Sequence, residues 1–184
     1  MNTYAKITTL LDQHRADYRV VEHEAIGQTD VISGIRGNDI NQAAKAMVLE
    51  VTMRDGADAR YLLAIVPGDC KINCKSAARA IGGKKSSFAA PEKAQELTQC
   101  VMGAVPPFSF DDRLALRVDA RLRDVGTLWF NAGALQRSMA LNVDDFFRVV
   151  GADCRSALSP PMTATASNRC RHERVISKQR RGGE

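Results

Sequence analysis

The spacing of apolar positions changes repeatedly along this chain, and each change marks an element. Tyr61-Leu62-Leu63-Ala64-Ile65-Val66 is an unbroken apolar run of strand length, stopped by Pro67-Gly68-Asp69. A second extended segment, Ala46–Arg54, precedes it, and Asp55-Gly56 between them is a hairpin-type turn. Upstream, Ile7, Leu10, Leu11 and His14 recur at helical spacing behind a capping Thr3, and Tyr18–His23 alternates like a strand. Thr29 or Asp30 starts a second helix through Ile32 and Ile35, which Arg36-Gly37 ends. Asn38 and Asp39 then cap a turn that delivers the chain to Lys45.

Downstream, Asn73 caps a helix through Ala77, Ala78 and Ile81 that Gly82-Gly83 closes. Ser86–Ala89 is extended, and Pro91 suits the first position of a helix reaching about Gln99. Leu114–Val118 reads as a strand. Leu128–Phe130 and Ser138–Leu141 read as two more, split by Asn131-Ala132-Gly133. Val143–Val150 is a closing helix whose first turn carries Asp144 and Asp145, where the macrodipole favours acids. This order lacks the strict strand–helix alternation of a doubly wound sheet. It predicts a single α/β domain with a mixed, partly closed, barrel-like sheet flanked by helices. Past Gly151 the periodicity stops. The expected division is a domain over residues 1–154 and a basic tail over 155–184, disordered from about residue 156.

Composition sharpens this in two ways. Aromatic residues are only 5% of the chain, so the core must rest on aliphatic side chains. The net charge of +5 is a tail property: residues 155–184 hold seven Lys and Arg against two acids, and that surplus is the entire excess. The body is neutral, which argues against a DNA-binding regulator, and no helix-turn-helix is recognisable. No apolar run reaches membrane-spanning length and no secretory leader is visible, so a cytoplasmic protein with no membrane partner is expected. Five cysteines in no disulfide framework, with three histidines, point to reduced thiols and no metal.

Two features carry candidate chemistry. Lys45 puts a flexible cation at the start of an apolar strand. Gly103-Ala104-Val105-Pro106-Pro107-Phe108 is a stiff turn whose glycine lets a ligand approach the backbone. A cation together with oriented amides can bind a carbonyl oxygen or a phosphate. Each feature also has an ordinary reading: most lysines at such positions are solvated, and Gly and Pro commonly just redirect a chain. A lone His23 at a strand end is more often structural than catalytic. No Gly-x-Ser-x-Gly elbow and no Gly-x-x-x-x-Gly-Lys loop is present, so a hydrolase here works without a serine triad or an NTPase loop.

With these residues in place the chain resembles the YbaK and prolyl-tRNA-synthetase editing-domain superfamily, most closely its YeaK-like trans-editing branch. The similar stretches are Tyr18–His23 with Glu24-Ala25, Ile35-Arg36-Gly37, Ala44–Val48, Ile81–Gly83, Glu96–Thr98, Gly103–Ser109, Phe130–Gly133 and Asp144–Phe146, spanning about residues 4–151. The resemblance implies a barrel-like α/β domain that hydrolyses the ester joining a wrong amino acid to the terminal ribose of tRNA. It places the family's essential lysine on Lys45 and its Gly-x-x-x-Pro motif on Gly103 and Pro107. A position that often carries a polar histidine, serine or asparagine falls on Asn131, so proton transfer by a histidine is not expected there.

It further implies Lys45 and Gly103 as catalytic groups, with Lys45 anchoring the terminal nucleotide or the ester and the Gly103 loop binding the carbonyl or the water. Thr29, Ile32, Val105, Pro106, Pro107, Phe108, Asn131 and Gly133 are implied as substrate-binding, with no cofactor and with the substrate's own ribose hydroxyl directing the water. The implied partner is the 3′ end of a mischarged tRNA carrying a small amino acid, serine and threonine first, with alanine and cysteine open. An aminoacyl-tRNA synthetase is a further candidate partner. The alternative is a non-catalytic module that binds a tRNA 3′ end, a nucleotide or a partner protein in the same pocket.

Overall fold

The structure is a computed structural model, and it describes residues 1–151 and 154–159. Two sheets form. The larger has five strands: β2 (Ala44–Met53), β3 (Arg60–Pro67), β4 (Gly83–Phe88), β5 (Leu114–Asp119) and β8 (Arg155–Ser156), in the order β4-β2-β3-β5-β8. It is mixed, because β2 runs antiparallel to β3 and β4 whereas β3, β5 and β8 are parallel neighbours. The smaller sheet is antiparallel, with β1 (Tyr18–Glu22), β7 (Arg137–Asn142) and β6 (Thr127–Ala134) in the order β1-β7-β6. A parallel bridge between Ala43 and Trp129 joins the two sheets. The expected mixed barrel-like sheet with flanking helices is therefore what forms.

The continuous apolar run of β3 has a physical reason. Leu63 and Ile65 face a core shared with Ile7 and Leu11 of helix α1 (Thr3–Gln13), Leu128 and Phe130 of β6, and Phe146 of helix α5 (Val143–Val150). Leu62, Ala64 and Val66 face a second core with Leu49 and Val51 of β2 and with Ala77 and Ala78 of helix α3 (Cys74–Arg79). A strand buried on both faces has no polar alternation to show. Helices α2 (Thr29–Arg36) and α4 (Pro91–Thr98) complete the set. Among the described residues no helix is long and apolar enough to cross a membrane.

Several local expectations shift. Asn2, not Thr3, caps α1 by accepting from Ala5 N at 2.8 Å, while Thr3 is buried. Helix α3 ends at Arg79, and Gly83, expected as its stop, begins β4. Asn131-Ala132-Gly133 does not split two strands: β6 runs through it, with a register irregularity between Asn131 and Ala134. The bulge keeps the backbone extended despite a glycine with positive φ.

The fold also continues past residue 154. Arg155 and Ser156 pair with Val118 and Asp119, and Leu158 is fully buried in the second core. Asp119 anchors this segment by accepting from Leu158 N at 3.0 Å, from Ser159 N at 2.8 Å and from the Ser159 hydroxyl. Burial pushes the Asp119 carboxyl up, but hydrogen bonds from Ser159 and Arg121 outweigh it and hold it below the usual range. The remainder of the expected tail, 160–184, lies outside the described residues.

Candidate active site

A cleft of about 230 Å³ opens where the two sheets meet. Each wall comes from a different element. Lys45 stands one residue into β2, Arg36 ends α2, Asn131 lies on β6, and Gly103 and Val105 come from the loop after α4. Of the residues singled out from sequence, the cleft gathers Thr29, Ile32, Lys45, Gly103, Val105 and Asn131. Pro106, Pro107, Phe108 and Gly133 do not line it. The two prolines are buried behind the loop. Phe108 is a core ring, edge-on to Phe130 at 5.8 Å and to Phe146 at 5.6 Å. Gly133 donates from its N–H to Ala104 O at 3.1 Å, so it supports the loop from below.

Lys45 is half-buried and its ammonium is aimed by carbonyls. Nζ donates to Gly68 O at 3.1 Å and to Cys70 O. These two bonds use two of the three ammonium hydrogens and leave one for a ligand. Burial lowers the Lys45 pKa from the ordinary lysine value, partly countered by nearby Cys70 and Asp69.

The Gly103 loop is shaped by close backbone packing. Gly103 has φ +85°, and a Cβ there would lie 2.8 Å from Gly27 Cα. Within the loop, Ala104 N–H donates to Val101 O. The Gly103 and Val105 N–H groups have no acceptor among the described residues. Two N–H groups on a stiff loop at a cleft are suited to receive an oxyanion.

Asn131 fastens that loop. Its amide donates to Ile26 O at 3.0 Å and to Gly103 O at 2.8 Å, tying together the two segments that meet at Gly27 and Gly103. Its Oδ1 accepts from the Ser138 hydroxyl at 3.2 Å and from Arg36 Nη2. Both donors and both lone-pair positions are thus occupied. Arg36 also donates to Ser138 Oγ, through Nε at 2.8 Å and through Nη2. Behind Ser138 lies His23, whose Nε2 meets the hydroxyl and whose Nδ1 is 2.7 Å from Glu24 O. A carbonyl only accepts, so Nδ1 carries a proton. His23 is a buttress of this network.

Arg36, Gly27 and Trp129, with Ala43, Ala44, Ala46 and Phe130, line the cleft although the sequence did not mark them as site residues. The stretch Ile35-Arg36-Gly37 reads as a helix end, where a cation is expected for the dipole alone. Arg36 in fact turns inward. Its guanidinium lies 5.9 Å from the Trp129 ring, and burial lowers its pKa to about 10. Among the described residues no acidic side chain lines the cleft, and no group of His, Cys, Asp and Glu could hold a metal.

A family model, the aminoacyl-tRNA editing domain, matches residues 23–149, a span containing Lys45, Gly103 and Asn131. The chain belongs to the aminoacyl-tRNA editing domain family. Its relatives in this family include the multifunctional Ser/Thr-tRNA deacylase ProXp-y of Escherichia coli, 40% identical over 148 residues, covering 80% of this chain and 87% of that one. The prolyl-tRNA editing protein ProX of Acetoanaerobium sticklandii is 26% identical, covering 59% of this chain and 63% of that one. Solved structures give the same fold. A proposed trans-editing enzyme for prolyl-tRNA synthetase superposes with a TM-score of 0.70 at 21% identity, covering 87% of this chain and 98% of that one. A protein described only as hypothetical gives 0.73 at 18% identity, covering 84% and 99%.

Proposed function

We propose that this protein is a trans-editing hydrolase that removes serine or threonine from mischarged tRNA, with Lys45 and the Gly103 loop acting on the ester. The observation that carries this reading is the cleft's electrostatics. It holds Lys45 and Arg36 and, among the described residues, no acidic side chain, and it is lined by Gly103 and Val105, whose N–H groups have no acceptor among those residues. The kinship with the family, and with a Ser/Thr-tRNA deacylase in particular, supports the choice of substrate.

The chemistry follows from that arrangement. Water attacks the ester carbonyl, and the carbonyl oxygen becomes an oxyanion. Lys45 Nζ, held by Gly68 O and Cys70 O, and the N–H groups of Gly103 and Val105 stabilise that charge where it develops. The bond from carbon to the ribose oxygen then breaks. That oxygen takes a proton released by the attacking water, giving free amino acid and uncharged tRNA. An aminoacyl ester is already activated, so positioning and oxyanion stabilisation supply the rate without a triad. The substrate's vicinal ribose hydroxyl is the group assigned to direct the water, since no histidine or carboxylate among the described residues lines the cleft.

Ile32 and Trp129 give the cleft an apolar wall beside the polar loop. A wall of this kind separates neighbours differing by one methylene by only about 1–3 kcal/mol. Overlapping activity on serine and threonine esters follows, with alanine and cysteine esters as poorer substrates. An aminoacyl-tRNA synthetase is the natural partner for delivery. A panel of mischarged tRNAs incubated with the wild type and with Lys45→Ala tests the reading. Release of serine and threonine by the wild type alone is expected. Saturable binding without release would instead mark the protein as a binding module.

A further inference from the structure

We infer that Arg36 is the phosphate-binding group of the cleft, taking the phosphodiester that links the substrate's terminal nucleotide to the rest of the tRNA. The inference rests on the proposed function and adds a division of labour between the two cations.

Arg36 is built as half of an ion pair. One edge of its guanidinium, Nε and Nη2, is fixed by Ser138 and Asn131, and the group lies near Trp129. A guanidinium so fixed is pre-organised, and little freedom remains to be lost on binding. Its other nitrogen, Nη1, donates to nothing among the described residues and is not sealed from solvent. No carboxylate comes within ion-pair distance of Arg36 among the described residues. Arg121, by contrast, is paired with Asp119, and Arg137 with Glu22. A half-buried cation at a cleft with no counter-ion among the described residues is complete when a ligand brings the anion.

The substrate's chemistry names that anion. In an aminoacyl-tRNA the amino acid's carboxylate is consumed in the ester, and its amine is neutral or cationic. The adenine and ribose are uncharged. The phosphodiester is therefore the only negative group near the reacting bond, and the two free Nη1 hydrogens suit its oxygens. With Arg36 on the phosphate, Lys45 is left for the ester, where charge appears only during reaction.

The test compares two substrates with three forms of the protein. Seryl-tRNA carries the phosphodiester, and 3′-O-seryl-adenosine has the same ester and no phosphate. The wild type is expected to hydrolyse both. Arg36→Gln is expected to lower kcat/KM on seryl-tRNA roughly 10- to 100-fold more than on the nucleoside ester, with the excess loss mainly in KM; the shared loss on both substrates reports the loosened Asn131–Ser138 network. Arg36→Lys, which keeps the charge without the anchored planar group, is expected to recover part of the loss on seryl-tRNA. Equal losses on both substrates would overturn the inference, since they would mean that Arg36 merely supports Asn131 and Ser138. No loss on either would overturn it as well. A wild type inactive on every mischarged tRNA would instead refute the proposed function, so the two failures are told apart.

Discussion

Gly27 and Gly103 meet backbone to backbone, close enough that a Cβ on Gly103 would stand 2.8 Å from Gly27 Cα and 3.1 Å from Gly27 O. The contact lets Asn131 reach Ile26 O and Gly103 O together, and it sets where the loop's N–H groups point. Gly103→Ala meets two obstacles: φ +85°, which costs a side-chain-bearing residue about 1–2 kcal/mol, and a clash with backbone that cannot rotate away. The variant is expected to melt at lower temperature and to lose most deacylation. Thermal unfolding and single-turnover hydrolysis of seryl-tRNA measure the two effects.

Lys45→Ala is expected to reduce kcat roughly 10²- to 10³-fold, the usual cost of deleting one oxyanion donor. Its stability should hold, because burial already disfavours the charged lysine. The folded pKa of Lys45 lies below its unfolded value of about 10.4, so the folded state binds this proton less tightly. Lys45 therefore weakens the fold while charged, and that penalty fades as pH rises from the folded pKa toward the unfolded one. Activity has the opposite dependence: it needs the ammonium and falls at a pH below that of an ordinary lysine. Lys45→Arg should abolish this alkaline limb in whatever activity it retains. A pH–rate profile corrected for spontaneous ester hydrolysis checks both.

Asn131→Ala strips partners from two backbone carbonyls and from Arg36 Nη2. Each buried polar group left unsatisfied costs about 1–3 kcal/mol. A drop in the urea midpoint and a lower kcat on seryl-tRNA are expected. Because Asn131 has no hydrogen-bonding position left for a ligand, the catalytic loss should follow the loosened loop. Hydrogen exchange at Gly103 and Val105 should accelerate in the variant.

The segment after residue 154 is expected to matter for stability. Leu158→Ala should cost about 2–5 kcal/mol, as for other fully buried leucines. A chain cut after residue 154 should lose more than one cut after Ser159, since only the first also removes β8 and the donors to Asp119. The Asp119 carboxyl is held below its unfolded value of about 3.9. Its stabilisation is present above that value and lost as pH falls through the folded pKa. Acid titration of Asp119→Asn against the wild type, followed by circular dichroism, checks the window.

How much of this was legible in sequence depends on which residues carry it. The β2–β3 hairpin was, because Asp55-Gly56 and the flanking apolar runs are local signals. Lys45 and the Gly103 loop were identified by pattern and resemblance, and both line the cleft. Phe108 was misplaced beside the substrate, because its neighbours in the core, Phe130 and Phe146, are distant in sequence. Arg36 was missed since a helix-terminal cation is normally explained by the dipole, and nothing local reveals that Ser138 and Asn131, about a hundred positions away, turn it inward. The partners of Leu158 are equally remote, which is why the fold's edge was set too early. Contacts between distant segments leave no periodicity to read.

The bridge between Ala43 and Trp129 bears on how such an enzyme can diversify. Lys45 belongs to one sheet and Asn131 to the other, so the gap between the cation and the amide loop is set by a joint. A volume change in the core beneath that joint would widen or narrow the gap while leaving every lining side chain in place. Substrate range can then drift through mutations that never touch the substrate.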